Sequence, residues 1–386
     1  MPWRECAVPD ERLQFVILAN QPASNVSALC CQFGVSRQTG YKWLGRYREA
    51  GAAGVVRERS RRPRSSPRRT PAEWTAALIA ARRERPDWGA RKLLTVLRRE
   101  RPELPAVSSS TAHRILLREN LVAAEDRHRP ALQRFERAQP NELWQMDFKG
   151  PPGFNQGIGP LSILDDHSRY LLALQQVGST RLSGVRDTLE ATFINCGLPE
   201  YLLVDHGTPW YNGYSPWGWS ELSVWILRQG IRMVLSGVRH PETQGKVERM
   251  HEALQLALRK RHGCADRQCW LDEFRHEYNH LRPHEGIGMQ VPASRWNPSP
   301  RPYQPAPQEW IYPAGWLVHG LAGEGQLCWL GRRWEISRAL RGQQIALEVN
   351  GDRVLVHYCN ITLREFDLRS GANIVLPVNP FRLLQG

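Results

Sequence analysis

The stretch LWQMDFKG, residues 143–150, alternates in character. Leu143, Gln145, Asp147 and Lys149 fall on one face of an extended chain, and Trp144, Met146 and Phe148 on the other. The pattern predicts a strand with one apolar face, and it puts an aspartate mid-strand, where that residue is disfavoured. The neighbouring segments supply partners for that strand. LSILDD (161–166), the turn HSR and YLLALQQV (170–177) read as a hairpin. RLSGVRDTLEATFINCG reads as a helix stopped by Gly197, and EYLLVD as a short strand that ends at Asp205, where HGTP turns the chain away. A helix over Ser220–Gln229, the strand IRMVLS and a helix opening in ETQGKVERMHEAL (Glu242–Leu254) complete the run. Three strands in a meander, then alternating helix and strand, predict a mixed sheet covered by helices.

The part before this domain has a different chemistry. The chain has 386 residues and a net charge of +14. Residues 1–140 hold 27 Lys and Arg against 14 Asp and Glu, a net of +13; residues 141–386 hold 25 against 24, a net of +1. A one-sided cationic half suggests a polyanion partner, most often nucleic acid. Residues 11–50 read as three short helices, with Asn25 or Ser27 available to cap the second, Gly34 at a turn and Ser36 capping the third. That is a helix-turn-helix layout. It places Val35, Trp43 and Leu44 in a core and Arg37, Gln38, Tyr41 and Lys42 outward, at the start of a helix that would enter a major groove. Gly40 falls where a packing residue would serve the helix better, a cost of about 1 kcal/mol. The run VRERSRRPRSSPRRTP is a linker. Its arginines, Arg61, Arg62, Arg64, Arg68 and Arg69 among them, suit either a solvated spacer or a strap along a phosphate backbone. Residues 72–119 repeat the three-helix pattern, capped at Ser108, with Ser109, Ser110, His113 and Arg114 exposed.

The expected organisation is therefore a helix-turn-helix domain (1–55), an Arg/Pro-rich linker (56–71), a second helix-turn-helix domain (72–120), a connector (121–140), an α/β core (141–298) and a small β-barrel (305–386). The barrel rests on four or five short alternating segments and a tight-turn signal at NGDR, 350–353. No run of about 18 apolar residues suggests a membrane span, and the N-terminal residues lack the layout of a signal peptide. Eight scattered cysteines without a CxxC pair fit reduced thiols in a cytoplasm. Cys264, Cys269, His262 and His276 match no common zinc spacing.

Three carboxylates stand out. Asp147 lies mid-strand, Asp205 ends a strand and Glu248 opens a helix among Lys246 and Arg249. A helix N-terminus suits an acid on its own account. Three acids converging in one domain would instead repel unless cations neutralised them. Two Mg²⁺ ions about 3.5–4 Å apart are the usual solution, and they serve in-line displacement at phosphorus. Lys246 and Arg249 would then lie along the phosphate path. Asp165 and Asp166 read as strand-end and turn residues.

WQMDFKG, LDDHSRY, LPEYLLVDHGTPW and SGVRHPETQGKVERMHEAL resemble the catalytic core of DDE transposases and retroviral-type integrases, and the whole resembles bacterial insertion-sequence transposases with two N-terminal helix-turn-helix units. The resemblance covers roughly Asn141–Pro298. It implies an RNase H-like fold in which Asp147, Asp205 and Glu248 hold two Mg²⁺ ions, with Mn²⁺ able to substitute. It further implies an enzyme of the polynucleotidyl transferase class that binds terminal inverted repeats, cleaves a strand at each end and joins it to target DNA. Such a protein would act as a homo-oligomer at the bacterial nucleoid, without a membrane. His206 departs from the Asn or Arg that usually follows the second aspartate. The 42 residues between Asp205 and Glu248 exceed the commonest spacing. The alternatives are a transposase-derived DNA-binding regulator with an inactive core and a structure-specific nuclease of the same fold.

Overall fold

A computed structural model describes residues 8–57, 70–105, 107–122, 136–150, 159–177, 182–212, 218–236, 244–260 and 266–376. The linker arginines Arg61, Arg62, Arg64, Arg68 and Arg69 lie outside the described residues. The chain divides into two compact units, Met1–Arg69 and Thr70–Gly386.

The first unit holds α1 (Val8–Ala19), α2 (Val26–Gln32) and α3 (Arg37–Val56). Each of the last two helices begins on a side-chain cap. Asn25 accepts from Ala28 N and Ser36 from Thr39 N, each satisfying an amide the first turn leaves unpaired. Gly34 takes φ +65° at the turn between them. Phe15, Val16, Cys30, Val35, Trp43 and Leu44 make the core. Gly40 is not the weak point its helix position suggests. A Cβ there would sit 2.5 Å from Cys30 Sγ and 2.8 Å from Phe15 Cζ, so its absence lets α3 close on α1 and α2. Within α3, Ala50 and Gly51 leave helical geometry.

The second unit opens with α4 (Ala72–Glu84), α5 (Ala90–Glu100) and α6 (Ser109–Arg118), packed on Trp74, Leu78, Trp88, Leu93 and Leu116. Ser108 caps α6. Next come β1 (Leu143–Phe148), β2 (Leu161–Asp165), β3 (Leu171–Gln175), α7 (Leu182–Cys196), β4 (Tyr201–Val204), the two-residue strands β5 (Tyr211–Asn212) and β6 (Gly218–Trp219), α8 (Glu221–Arg228), β7 (Arg232–Leu235), α9 (Gly245–Lys260) and α10 (Arg267–His280). The sheet order is β3-β2-β1-β4-β7. The first three strands are antiparallel, and β4 and β7 run parallel to β1 and to each other. Trp144 and Met146 face a core shared with α7 and α8, through Val185, Leu189, Phe193, Leu222 and Ile226. The other face lies under α9 and α10. There Leu164, Leu171 and Leu174 meet Val247, Met250, Leu254, Leu271 and Phe274.

The C-terminal strands are β8 (Leu317–Gly320), β9 (Gln326–Trp329), β10 (Arg332–Glu335), β11 (Gln344–Asn350), β12 (Arg353–Tyr358), β13 (Ile361–Asp367) and β14 (Asn373–Val375). The expected turn at 350–353 joins β11 to β12, with Gly351 at φ +63°. Among the described residues these strands form an open five-stranded sheet, β14-β13-β12-β11-β8, and a separate hairpin of β9 and β10, not a closed barrel. Trp334 of the hairpin stacks on Phe366 of the sheet at 4.2 Å, so side-chain packing joins the two where no ladder does.

The second helical unit is tied to the core. Asp87 and Arg282 form a 2.8 Å ion pair, both side chains almost fully buried. Trp88 Nε1 donates to Glu277 of α10 at 3.1 Å, Arg91 pairs with Glu285, and Arg99 donates to the Met289 carbonyl. Removing one partner of a buried pair strands the other. Arg282→Ala should therefore cost about 3–5 kcal/mol, measured by chemical denaturation. Arg91→Ala, which breaks an exposed pair, should cost under about 1 kcal/mol.

Candidate active site

The register of the parallel strands brings two carboxylates level. Gln145 of β1 pairs with Leu203 of β4. Asp147 lies two residues past Gln145, and Asp205 two past Leu203. Side chains two apart share a face. The two aspartates thus stand side by side at the ends of neighbouring strands, on the face that α9 covers. Asp147 lies one residue before the end of β1 and Asp205 one residue past the end of β4, so each is presented from a rigid element.

Asp205 is held by its own loop. Its Oδ1 accepts from Gly207 N at 2.9 Å and from Trp210 Nε1 at 2.7 Å. A Cβ on Gly207 would lie 2.9 Å from that oxygen, so glycine permits the close turn. The Trp210 ring stacks on Phe148 of β1 at 5.3 Å, coupling the loop back to the strand that carries Asp147. Asp147 accepts from Phe148 N through Oδ1. Its Oδ2 lies 3.8 Å from Nδ1 of His251, one turn along α9 from Glu248. His251 is buried, its Nε2 2.9 Å from the Ser162 hydroxyl, and Ser162 is the cross-strand partner of Asp147. Burial, and then the charge of Lys149, push the His251 imidazole down to about 3, so it is neutral at ordinary pH.

Burial pushes the Asp147 carboxyl up to about 7, and the negative fields of Asp205 and Glu248 add to it. Glu248 sits in the first turn of α9 and is exposed. Its own carboxyl is raised by partial burial and by Glu252, one turn on. The two aspartates thus form a close pair, with Glu248 beside it. As the side chains stand, no three His, Cys, Asp or Glu among the described residues are grouped tightly enough to hold an ion.

Lys246 is not on an open phosphate path. Its Nζ forms a 2.5 Å ion pair with Asp166, which is fully buried. Asp166 also accepts from Gln145 Nε2 at 2.8 Å and from Arg137 N at 2.9 Å, while Gln145 Oε1 accepts from Val247 N at 3.3 Å. The first turn of α9 is therefore pinned to β1 and to the β2–β3 turn immediately before Glu248. Asp165 acts within that turn, accepting from Asn141 N and from the amide and hydroxyl of Ser168. Arg249 is exposed beside Glu248.

Gln145, His251 and Trp210 support the carboxylates without having been singled out, and Asp166, read from the sequence as a turn residue, joins them. Gln145 was legible as a polar residue on the same strand face as Asp147, and His251 as the residue three after Glu248. Of the expected DNA contacts, Arg37, Gln38, Tyr41 and Lys42 are exposed at the start of α3, and Ser109, Ser110, His113 and Arg114 at the start of α6.

The raised Asp147 carboxyl has a pH signature. Between its ordinary value near 3.8 and about 7, the folded chain holds a proton that the unfolded chain has lost. Stability then falls as pH rises through that window. In the presence of a chelator, Asp147→Asn should raise stability at pH 8 by on the order of 2–4 kcal/mol. The advantage should disappear near pH 4, as read by denaturation at the two pH values.

Three family models match the chain: a helix-turn-helix domain over residues 11–64, a homeodomain-like domain over 39–116 and an integrase core domain over 229–292. Among solved structures it is similar to a simian T-cell lymphotropic virus intasome in complex with PP2A regulatory subunit B56 gamma. That match is 16% identical over 67% of this chain and 91% of that one, with a TM-score of 0.36. It is also similar to the HTLV-2 integrase catalytic core domain in complex with magnesium, trimeric form, at 13% identity over 41% of this chain and 97% of that one, TM-score 0.32. The catalytic core domain of BIV integrase matches at 19% identity over 40% and 92%, TM-score 0.31. With helix-turn-helix models matching before an integrase core model in one chain, this is an integrase- and transposase-like protein with N-terminal helix-turn-helix domains.

Proposed function

We propose that the chain is a DNA transposase that binds terminal inverted repeats, cleaves a strand at each end and joins it to target DNA. The observation that carries this reading is the level pair Asp147 and Asp205 on adjacent parallel strands, with α9 bringing Glu248 beside them. The donor set suits a hard divalent cation: all three groups are carboxylates, and the charge of two of them raises the third. Asp147, Asp205 and Glu248 are the residues that would hold two Mg²⁺ ions, Mn²⁺ substituting. Bound there, the ions would supply Lewis acidity and charge neutralisation to a phosphodiester undergoing in-line attack.

The chain's own residues do the rest. Trp210 and Gly207 fix the Asp205 carboxylate, so it needs no reorganisation when a cation arrives. His251, neutral and held by Ser162, leaves Asp147 without a competing cation. The Asp166–Lys246 pair holds the α9 terminus that carries Glu248. Arg249, exposed beside Glu248, would meet a backbone phosphate. Arg37, Gln38, Tyr41 and Lys42, and in the second unit Ser109, Ser110, His113 and Arg114, would read bases or phosphates, with the 56–71 linker adding sequence-independent affinity. No helix among the described residues is long and apolar enough to cross a membrane. The proposed setting is the cytoplasm at the nucleoid, as a homo-oligomer that joins two DNA ends.

Asp147→Asn, Asp205→Asn and Glu248→Gln should each abolish plasmid nicking and strand joining in Mg²⁺ while leaving DNA affinity unchanged. Mg²⁺ should raise the unfolding temperature of the parent at pH 8 and not that of the variants. Full nicking by any one variant would remove that residue from the site. Nicking without joining in the parent would favour the nuclease reading.

A further inference from the structure

Residues 141–386 are nearly neutral, and most of their described arginines are spoken for. Arg353 pairs with Glu365, Arg369 with Asp352, Arg295 and Arg169 with Glu136, and Arg282 with Asp87; Arg301 donates to three backbone carbonyls. One place departs from this. A groove of about 530 Å³ lies between α7 and α8 on one side and the 338–343 segment of the C-terminal region on the other, and Arg186, Arg228, Arg338 and Arg341 line it. All four are exposed. Arg338 pairs with Glu324; Arg186, Arg228 and Arg341 have no carboxylate within ion-pair distance among the described residues. Glu221 is the single acid on the groove's wall. Arg186 is set in place over the Trp225 ring at 5.1 Å. A second cavity shares Arg228 and Gln343 with the first and adds Gln308, Gln344, Trp310 and one acid, Glu309.

Four guanidinium groups facing one groove, with Glu221 on its wall and Glu324 paired to Arg338, leave an excess of positive charge there. The arrangement gains only when an anion with several charges at fixed spacing lies across it. Arginine forks match phosphate oxygens, and glutamines with an exposed tryptophan suit sugar and base edges. We propose that this groove is a second path for a DNA backbone, on the α7–α8 side of the sheet, away from the α9 face that carries the carboxylates. It rests on the reading that the chain acts on DNA, and it does not depend on cleavage.

The test is the salt dependence of binding by the full chain to a random-sequence duplex, followed by fluorescence anisotropy. Arg228→Gln with Arg341→Gln should lower the slope of log affinity against log salt by roughly 1.8, about 0.9 for each lost phosphate contact. Arg353→Gln with Arg369→Gln removes the same charge from arginines already paired and should leave the slope unchanged. All four changes lie at exposed residues, and unfolding temperatures verify the folds. Equal slopes for the two double variants would overturn the proposal. So would loss of binding to poly-L-glutamate in the groove variant with DNA binding intact, which would assign the groove to an acidic protein. A parent chain that never nicks DNA would sink the transposase reading and leave this comparison decisive.

Discussion

The parallel pairing of β1 with β4 governs this molecule. It is a backbone interaction, yet its main consequence is electrostatic. By matching Gln145 to Leu203 it puts Asp147 and Asp205 at the same level on neighbouring strands, about 4.8 Å apart in the pairing direction. Two carboxylates so placed cannot both be comfortable as anions. The chain relieves Asp205 with two N–H donors from its own loop and leaves Asp147 with one amide and a neutral histidine. Burial pushes the Asp147 carboxyl up to about 7, and the charge of Asp205 adds to it. A pair arranged in this way has a built-in demand for positive charge.

The cations around the pair meet that demand only in part. Lys246 is spent on Asp166, and Lys149, which donates to the Gly150 carbonyl, still draws the Asp147 carboxyl down by its charge. His251, which stands closest to Asp147, is buried deeply enough to stay neutral. The same contacts fix geometry: Gln145 bridges Asp166 and the Val247 amide, so α9 starts at a set height above β1 and Glu248 comes one residue later. Stability and the candidate site are thus built from the same residues, and a change at Asp166 or Gln145 would disturb both.

Much of this was legible in the sequence, and the misses have physical reasons. Alternation at 143–148 and the apolar runs ending at Asp165 and Asp205 marked strands because their periodicity is local. Caps at Asn25, Ser36 and Ser108 were legible for the same cause. Lys246 was misplaced because its partner lies 80 residues away, and a lone lysine in a helix is usually solvated. Gly40 was misjudged because its value depends on Phe15 and Cys30, which touch it only in the folded unit. The helix α10 is carried by Trp270, Phe274 and Tyr278 at i, i+4 spacing, with charged residues between them dulling the contrast. The barrel failed on closure. Alternation shows that strands exist, whereas which edges pair is decided by tertiary packing, and here the β9–β10 hairpin meets the sheet through Trp334 and side-chain hydrogen bonds instead of a backbone ladder.

Charge needs the same distinction between sum and place. A net of +13 in residues 1–140 and +1 in residues 141–386 suggests a basic half and an inert one. Part of the second figure comes from arginines joined to acids of the same half, in pairs such as Arg353–Glu365 and Arg369–Asp352. Pairing cancels a charge both in the count and in the local field. At the α8 groove, Arg186, Arg228 and Arg341 cancel in the count and have no ion-pair partner among the described residues. A polyanion is attracted by the local field within a Debye length of about 10 Å, so a neutral total is compatible with a strongly attractive groove. The cationic N-terminal half therefore locates one region where a polyanion would be welcome, and the pattern of unpaired arginines locates another.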